Sequence, residues 1–281
     1  MREQMTALER FLKYITFDTQ SEEGSEATPS TEKQRALGRV LARELAEMGL
    51  EGACLADNGA VYGWLPATPG REDVPVIALI AHMDTAPRVP GGPMKARVVS
   101  YEGGVLVLNE EKGIALSPAA FPDLLEQVGK QLVVTDGTTL LGADDKAGVA
   151  EIFAAVERLV RDPRLAHGRV AVCITPDEEV GRGADYVDLA RLGAAFAYTV
   201  DGGPLGTLEY ENFNAASATV TVHGFSVHPG TAKGTMINAS NVAMEFHGSL
   251  PVTARPETTE GRQGFYHLCQ MYGDVTEAKL G

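Results

Sequence analysis

Apolar residues fall into two kinds of pattern along this chain. Leu8, Phe11, Leu12 and Ile15 recur at helical spacing, and so do Leu37, Val40, Leu41, Leu45 and Met48. Each set predicts an amphipathic helix with one core-facing stripe. Thr31 with Gln34 suits a capping box before the second helix, and Gly49 suits its stop. A third stripe, Val149, Ile152, Phe153, Val156, Leu159 and Val160, predicts a longer helix. Between the helices run continuous apolar stretches at 76–81, 169–175 and 196–200, with a shorter one at 132–135. All four predict strands, and the runs at 76–81 and 169–175 predict buried ones, the first covered on both faces as in a parallel or mixed sheet. Asp57-Asn58-Gly59 lies between two short β-like runs and suits a hairpin turn. Strands alternating with helices predict an α/β fold.

The pattern changes after Asn212. Residues 215–222 alternate polar and apolar, as a strand with one solvated face does, and 238–246 show weaker helical spacing. These features predict a second, smaller α+β unit, with domains at 1–212 and 213–281.

Charge and cysteines narrow the function classes. The 281 residues carry 24 basic and 38 acidic side chains, a formal net charge of −14. That balance argues against a nucleic-acid or anionic-membrane surface. No run of about 18 apolar residues is present, so no transmembrane helix is expected. Cys54, Cys173 and Cys269 are far apart and form neither a disulfide framework nor a zinc ribbon. A reducing, cytoplasmic setting is the expectation.

The chemistry sits where the apolar runs stop. The first run leads into His82-Met83-Asp84, and side chains two apart on a strand share a face. Such a pair can bind a transition metal, or the acid can orient the imidazole; taken alone, the pair equally suits a strand end and a turn. Asp144-Asp145 precedes the long helical stripe, where an acidic N-cap is the ordinary alternative. The run at 169–175 ends in Asp177-Glu178-Glu179, and the run at 196–200 ends in Asp201. Gathering acids at buried strand ends is costly unless a cation neutralises them. Four such junctions favour a divalent-metal site, with zinc or manganese suited to the donors. An aspartic-protease reading of Asp84-Thr85 fails, because Ala86 follows where a glycine is wanted and the fold is not all-β.

The segments AHMDT, LLGADDKAG, TPDEEVG, TVDGG and SVHPGTAKG, in that order, resemble the M20 family of co-catalytic zinc peptidases. HPGTAKG and TEGRQGFYHL favour its tripeptide aminopeptidases over its deacylases and desuccinylases. The resemblance implies a three-layer αβα catalytic domain with a mixed sheet, and an inserted lid or dimerisation domain, incomplete in this sequence. It implies two zinc ions, with His82 and Asp201 on the first, Asp144 bridging and Glu179 on the second. It implies that Asp84 orients His82 and that Glu178 is the general base. His228 would reach a neighbouring subunit's site in a homodimer built through the lid, and help hold the reacting carbonyl of a tripeptide. The Asp144–Asp145 peptide would be cis.

The family pattern includes a further His near the C-terminus as last ligand of the second zinc. His167, His223, His247 and His267 fit structural or exposed positions better than that role. The sequence therefore reads as C-terminally truncated, with an incomplete second zinc site and weak or no activity. The alternatives are an M20 carboxypeptidase or amide deacylase, and an inactive remnant that keeps the fold.

Overall fold

The long apolar runs become neighbouring strands in the computed structural model, which describes residues 4–281 except positions 93 and 186. The chain divides into two units, Met1–Leu208 and Glu209–Gly281. The first begins with helices α1 (Ala7–Tyr14) and α2 (Gln34–Glu47) and strands β1 (Glu51–Leu55), β2 (Val61–Leu65) and β3 (Ile77–His82). Strands β4 (Arg97–Tyr101), β5 (Leu106–Asn109), β6 (Ile114–Leu116) and β7 (Lys130–Val134) form two peripheral hairpin-like pairs, β4 with β7 and β5 with β6. Helix α3 (Ala143–Arg161), strand β8 (Val170–Thr175), the short helix α4 (Leu189–Leu192) and strand β9 (Phe196–Thr199) complete the unit.

The main sheet has the order β1-β2-β8-β3-β9 and is mixed. β3 runs parallel to β8 on one side and to β9 on the other, pairing His82 with Thr175 and Ile80 with Thr199. The apolar runs of β3 and β8 therefore occupy the centre, as expected of strands covered on both faces, whereas the run of β9 forms the sheet edge with all four residues exposed. On one face Tyr14, Leu37, Leu41, Leu45 and Phe153 from α1, α2 and α3 pack on Val61, Val172 and Ile174. On the other, Tyr62, Trp64, Ala78, Ala171 and Cys173 pack with Leu192 of α4. Because β3, β8 and β9 point the same way, their C-terminal ends lie side by side. The acids that follow each run are delivered to one crevice, where open α/β sheets carry ligands.

Two local expectations are corrected. α1 opens with a true capping box, Thr6 with Glu9. α2 does not: Lys33 is its N-cap and no side chain caps it. Gln34 instead reaches the Asp177 carboxylate, donating from Nε2 at 2.8 Å. A long-range carboxylate has outcompeted the local cap. In the second unit, strand β10 (Val220–His223) covers only 220–222 of the alternating stretch. Its partner, β12 (Glu277–Leu280), offers four residues, so the ladder ends there. Helix α5 (Ala239–Ser249) lies between them in the chain, β11 (Met271–Gly273) pairs with β12, and Ala239, Ala243, Ala278 and Leu280 form this unit's core.

Candidate metal centre

His82 is the last residue of β3 and is 2% exposed. Its two ring nitrogens face different surroundings. Nδ1 lies 3.1 Å from the Asp84 carbonyl oxygen and 3.3 Å from Asp84 Oδ1. With Nδ1–H donated to Asp84, Nε2 points at the acids from the other strand ends. Nε2 is 2.8 Å from Asp144 Oδ1, 3.7 Å from Asp201 Oδ2 and 4.0 Å from Glu178 Oε2. Two overlapping donor sets close enough for one ion result, His82-Asp144-Glu179 and His82-Asp145-Asp201.

Asp84 does more than orient the imidazole. It is fully buried, and its Oδ1 accepts the Glu178 backbone N–H at 3.0 Å while Oδ2 accepts that of Glu179 at 3.2 Å. One carboxylate thus fixes the ring and the two glutamates that follow β8. Asp145 is also a brace. Its Oδ2 accepts the His82 N–H at 3.2 Å and its Oδ1 the Gly148 N–H at 3.1 Å. The Asp144–Asp145 peptide is cis, and Asp144 and Asp145 depart from helical dihedrals at the start of α3. Gly148 is required here: a Cβ would sit 1.8 Å from the Val200 carbonyl oxygen and 2.3 Å from Asp145 Oδ1. The missing side chain lets α3 lie directly on the end of β9.

The electrostatics are those of an acid cluster around one imidazole. Burial and the Asp201 charge push Asp145 up to about 8. Burial and the Asp144 charge raise Glu179, and burial raises Asp201 with help from Asp144 and Glu178. Burial disfavours the His82 imidazolium, yet the Asp84 hydrogen bond and charge, with Asp145 and Asp201, outweigh it and raise the ring to about 10. The imidazolium is the cation these acids find for themselves. Among the described residues no Lys or Arg forms an ion pair with Asp144, Glu179 or Asp201. The nearby buried Lys146, lowered to about 8 by burial, donates instead to the Phe17 carbonyl at 2.8 Å. An imidazole nitrogen ringed by oxygen donors, several of them raised by burial and then by mutual repulsion, fits a divalent cation of the zinc type.

His82, Asp84, Asp144, Glu178, Glu179 and Asp201 are therefore brought together in the first unit. His228 belongs to the second unit, where it is exposed and its Nδ1 accepts the Gly230 N–H at 3.1 Å. The bracing role of Asp145 was not visible in the sequence, although its place beside Asp144 was. Asp177, first of the three acids after β8, turns away from the centre and is satisfied by protein donors, so it needs no cation.

Residues 210–280 match the model of a peptidase dimerisation domain of the M20 type. The chain is 53% identical over 274 residues to peptidase T of Clostridium acetobutylicum, covering 97% of this chain and 67% of that protein. It is 54% identical over 276 residues to peptidase T of Desulfitobacterium hafniense, covering 98% of this chain and 67% of that one. The chain thus spans about two thirds of the length of the curated relatives it matches. The fold is shared with the aminopeptidase PepT of Bacillus cereus, with a TM-score of 0.62 at 22% identity over 99% of this chain and 65% of that one. A tripeptidase of Staphylococcus aureus gives 0.63 at 20% identity, over 100% and 65%. At the identity and coverage shared with these relatives, the chain belongs to the peptidase T family.

Proposed function

We propose that the protein is a zinc-dependent aminopeptidase that removes the N-terminal residue from tripeptides. The observation that supports it most is the meeting of His82 Nε2 with Asp144, Glu179 and Asp201 at adjoining strand ends. In this reading His82 and Asp201 would hold one zinc and Glu179 a second, with Asp144 available to both. Zinc supplies Lewis acidity, lowering the pKa of a bound water towards about 7 and polarising a peptide carbonyl.

The chain's own residues do the rest. Asp84 holds Nδ1 as the nitrogen that keeps its proton, so Nε2 is the ring atom that would give up its proton and face a metal. Glu178 is the general base. Its carboxylate stands in the crevice, half-exposed, and its backbone is pinned by Asp84. It can take a proton from water and return it to the leaving amine. His228, on a subunit paired through residues 210–280, helps hold the substrate carbonyl, so the working form is a homodimer.

The test is turnover of a free-amine tripeptide against an N-acylated amino acid, with zinc added. The expected result is cleavage of the tripeptide alone, a loss of about 10²–10⁴-fold in Glu178→Gln, and zinc binding unchanged by that substitution. Turnover that survives chelation, or preference for the acylated substrate, would overturn the reading.

A further inference from the structure

The acid triplet after β8 is split in function, and its first member is unassigned by the metal-centre reading. Asp177 is 1% exposed and is the only described non-glycine residue with positive φ, at 60°. Asp tolerates that left-handed conformation better than most residues. The turn sends its carboxylate away from Glu178 and Glu179 into a nest of donors. Oδ1 accepts the Ser30 hydroxyl at 2.5 Å and Gln34 Nε2 at 2.8 Å. Oδ2 accepts the Ser30 N–H at 2.8 Å and Arg182 Nη2 at 3.3 Å.

The backbone of Asp177 is held as well. Its N–H donates to Gln34 Oε1 at 3.3 Å, and its carbonyl accepts the Arg182 N–H at 2.9 Å. Arg182 Nη1 in turn donates to the Ser25 carbonyl at 2.9 Å. The network therefore clamps both ends of the segment 177–182 to the loop ahead of α2. Between the clamps lie Glu178 and Glu179, whose N–H groups are held from the opposite side by Asp84. The short turn Glu178–Val180 closes at Gly181, whose N–H donates to the Glu178 carbonyl.

We propose that Asp177 is a positioning residue, which with Ser30, Gln34 and Arg182 sets where the Glu178 and Glu179 carboxylates stand. It touches neither metal nor substrate; it acts through the segment that carries them. The proposal rests on Glu179 being a metal ligand for its consequence, and on the hydrogen-bond network alone for its structure.

Two substitutions separate the parts. Asp177→Asn keeps the shape and the turn but sets an NH2 against donors from Ser30, Gln34 or Arg182. Asp177→Gly keeps the backbone conformation and removes every side-chain bond. Zinc titration of the chain, of both variants and of His82→Ala, alongside melting curves and hydrogen exchange of the metal-free proteins, gives the answer. The expected result is zinc affinity about 10–100-fold weaker in both Asp177 variants, with cooperative unfolding retained. The 178–179 amides should exchange at least about tenfold faster, while those of β3 are unchanged. Zinc affinity and 178–179 exchange equal to the parent's in both variants would overturn the proposal. A purely structural role would lower the melting temperature and speed exchange in β3 and β8 alike, and that also overturns it. If parent and His82→Ala bind zinc identically, the metal-centre reading fails. Local exchange at 178–179 then decides the positioning role by itself: faster in the variants supports it, unchanged refutes it.

Discussion

Asp84→Asn tests how much of the centre hangs on one buried carboxylate. Three donors converge on its two oxygens: the His82 ring at 3.3 Å, the Glu178 N–H at 3.0 Å and the Glu179 N–H at 3.2 Å. An asparagine can offer one oxygen. If that oxygen takes the Oδ1 place, the NH2 faces the Glu179 N–H, donor against donor. If it takes the Oδ2 place, the Glu178 N–H loses its acceptor and the His82 ring keeps only the Asp84 backbone carbonyl. Either way at least one buried donor goes unsatisfied, which costs about 1–3 kcal/mol. That range is about 5–150-fold in an equilibrium constant at 1.4 kcal/mol per decade. Loss of partners that orient metal ligands ordinarily weakens metal affinity about 10–100-fold. Zinc affinity should therefore fall by one to two decades, roughly, and the metal-free variant should unfold at lower denaturant. Isothermal titration with zinc, paired with urea unfolding, measures both. An Asp84→Asn protein with the parent's zinc affinity would refute the claim that this carboxylate organises the ligands.

Gly148→Ala should cost about 3 kcal/mol or more through overpacking, because the new Cβ meets the Val200 carbonyl at 1.8 Å; an unchanged urea midpoint would show that α3 does not rest on β9. Arg10→Met removes a guanidinium shared by Glu44 at 2.5 Å and Glu157 at 2.7 Å beneath α1, α2 and α3. Each carboxylate keeps a second partner, Lys13 or Arg161, so the loss should sit near the low end for a broken buried pair, about 3 kcal/mol at pH 7. Burial pushes Glu157 up, but hydrogen bonds from Arg10 and Arg161 outweigh it and hold the carboxyl below its ordinary value. A lowered carboxylate pKa stabilises above the unfolded value of about 4.3 and ceases to as pH falls through the folded value. The gap between parent and variant should therefore narrow below about pH 4; a gap independent of pH would exclude Glu157 from the ion cluster.

What could be read from the sequence divides by the range of the interaction. β3 and β8 were legible because a strand buried on both faces needs an unbroken apolar run; β9 was legible as a strand by the same run, although it lies at the exposed sheet edge, and the acids at the three ends were legible as a cluster wanting a cation. The parallel pairing of those strands then followed from α/β alternation. Interactions that cross the chain were not legible. Gln34 looked like the second half of a local capping box, yet it serves Asp177, 143 residues away. Asp177 looked equivalent to Glu178 and Glu179, and only the left-handed turn at its own φ, together with donors from 30, 34 and 182, reveals that it faces the other way. The alternating stretch at 215–222 gave no sign that its partner strand has four residues. The Asp145 side chain was overshadowed by Asp144, because adjacency in sequence does not say which oxygen meets a backbone N–H.

The central claim is that His82, Asp144, Glu179 and Asp201 form one cation centre. Anomalous diffraction at the zinc absorption edge, from crystals of the zinc-soaked chain, tests it most directly. The account predicts the strongest peak within coordination distance of His82 Nε2 and of oxygens from Asp144 and Asp201 or Glu179. Zinc peaks confined to other histidines or to surface acids, with the His82 ring still hydrogen-bonded to Asp144, would contradict it.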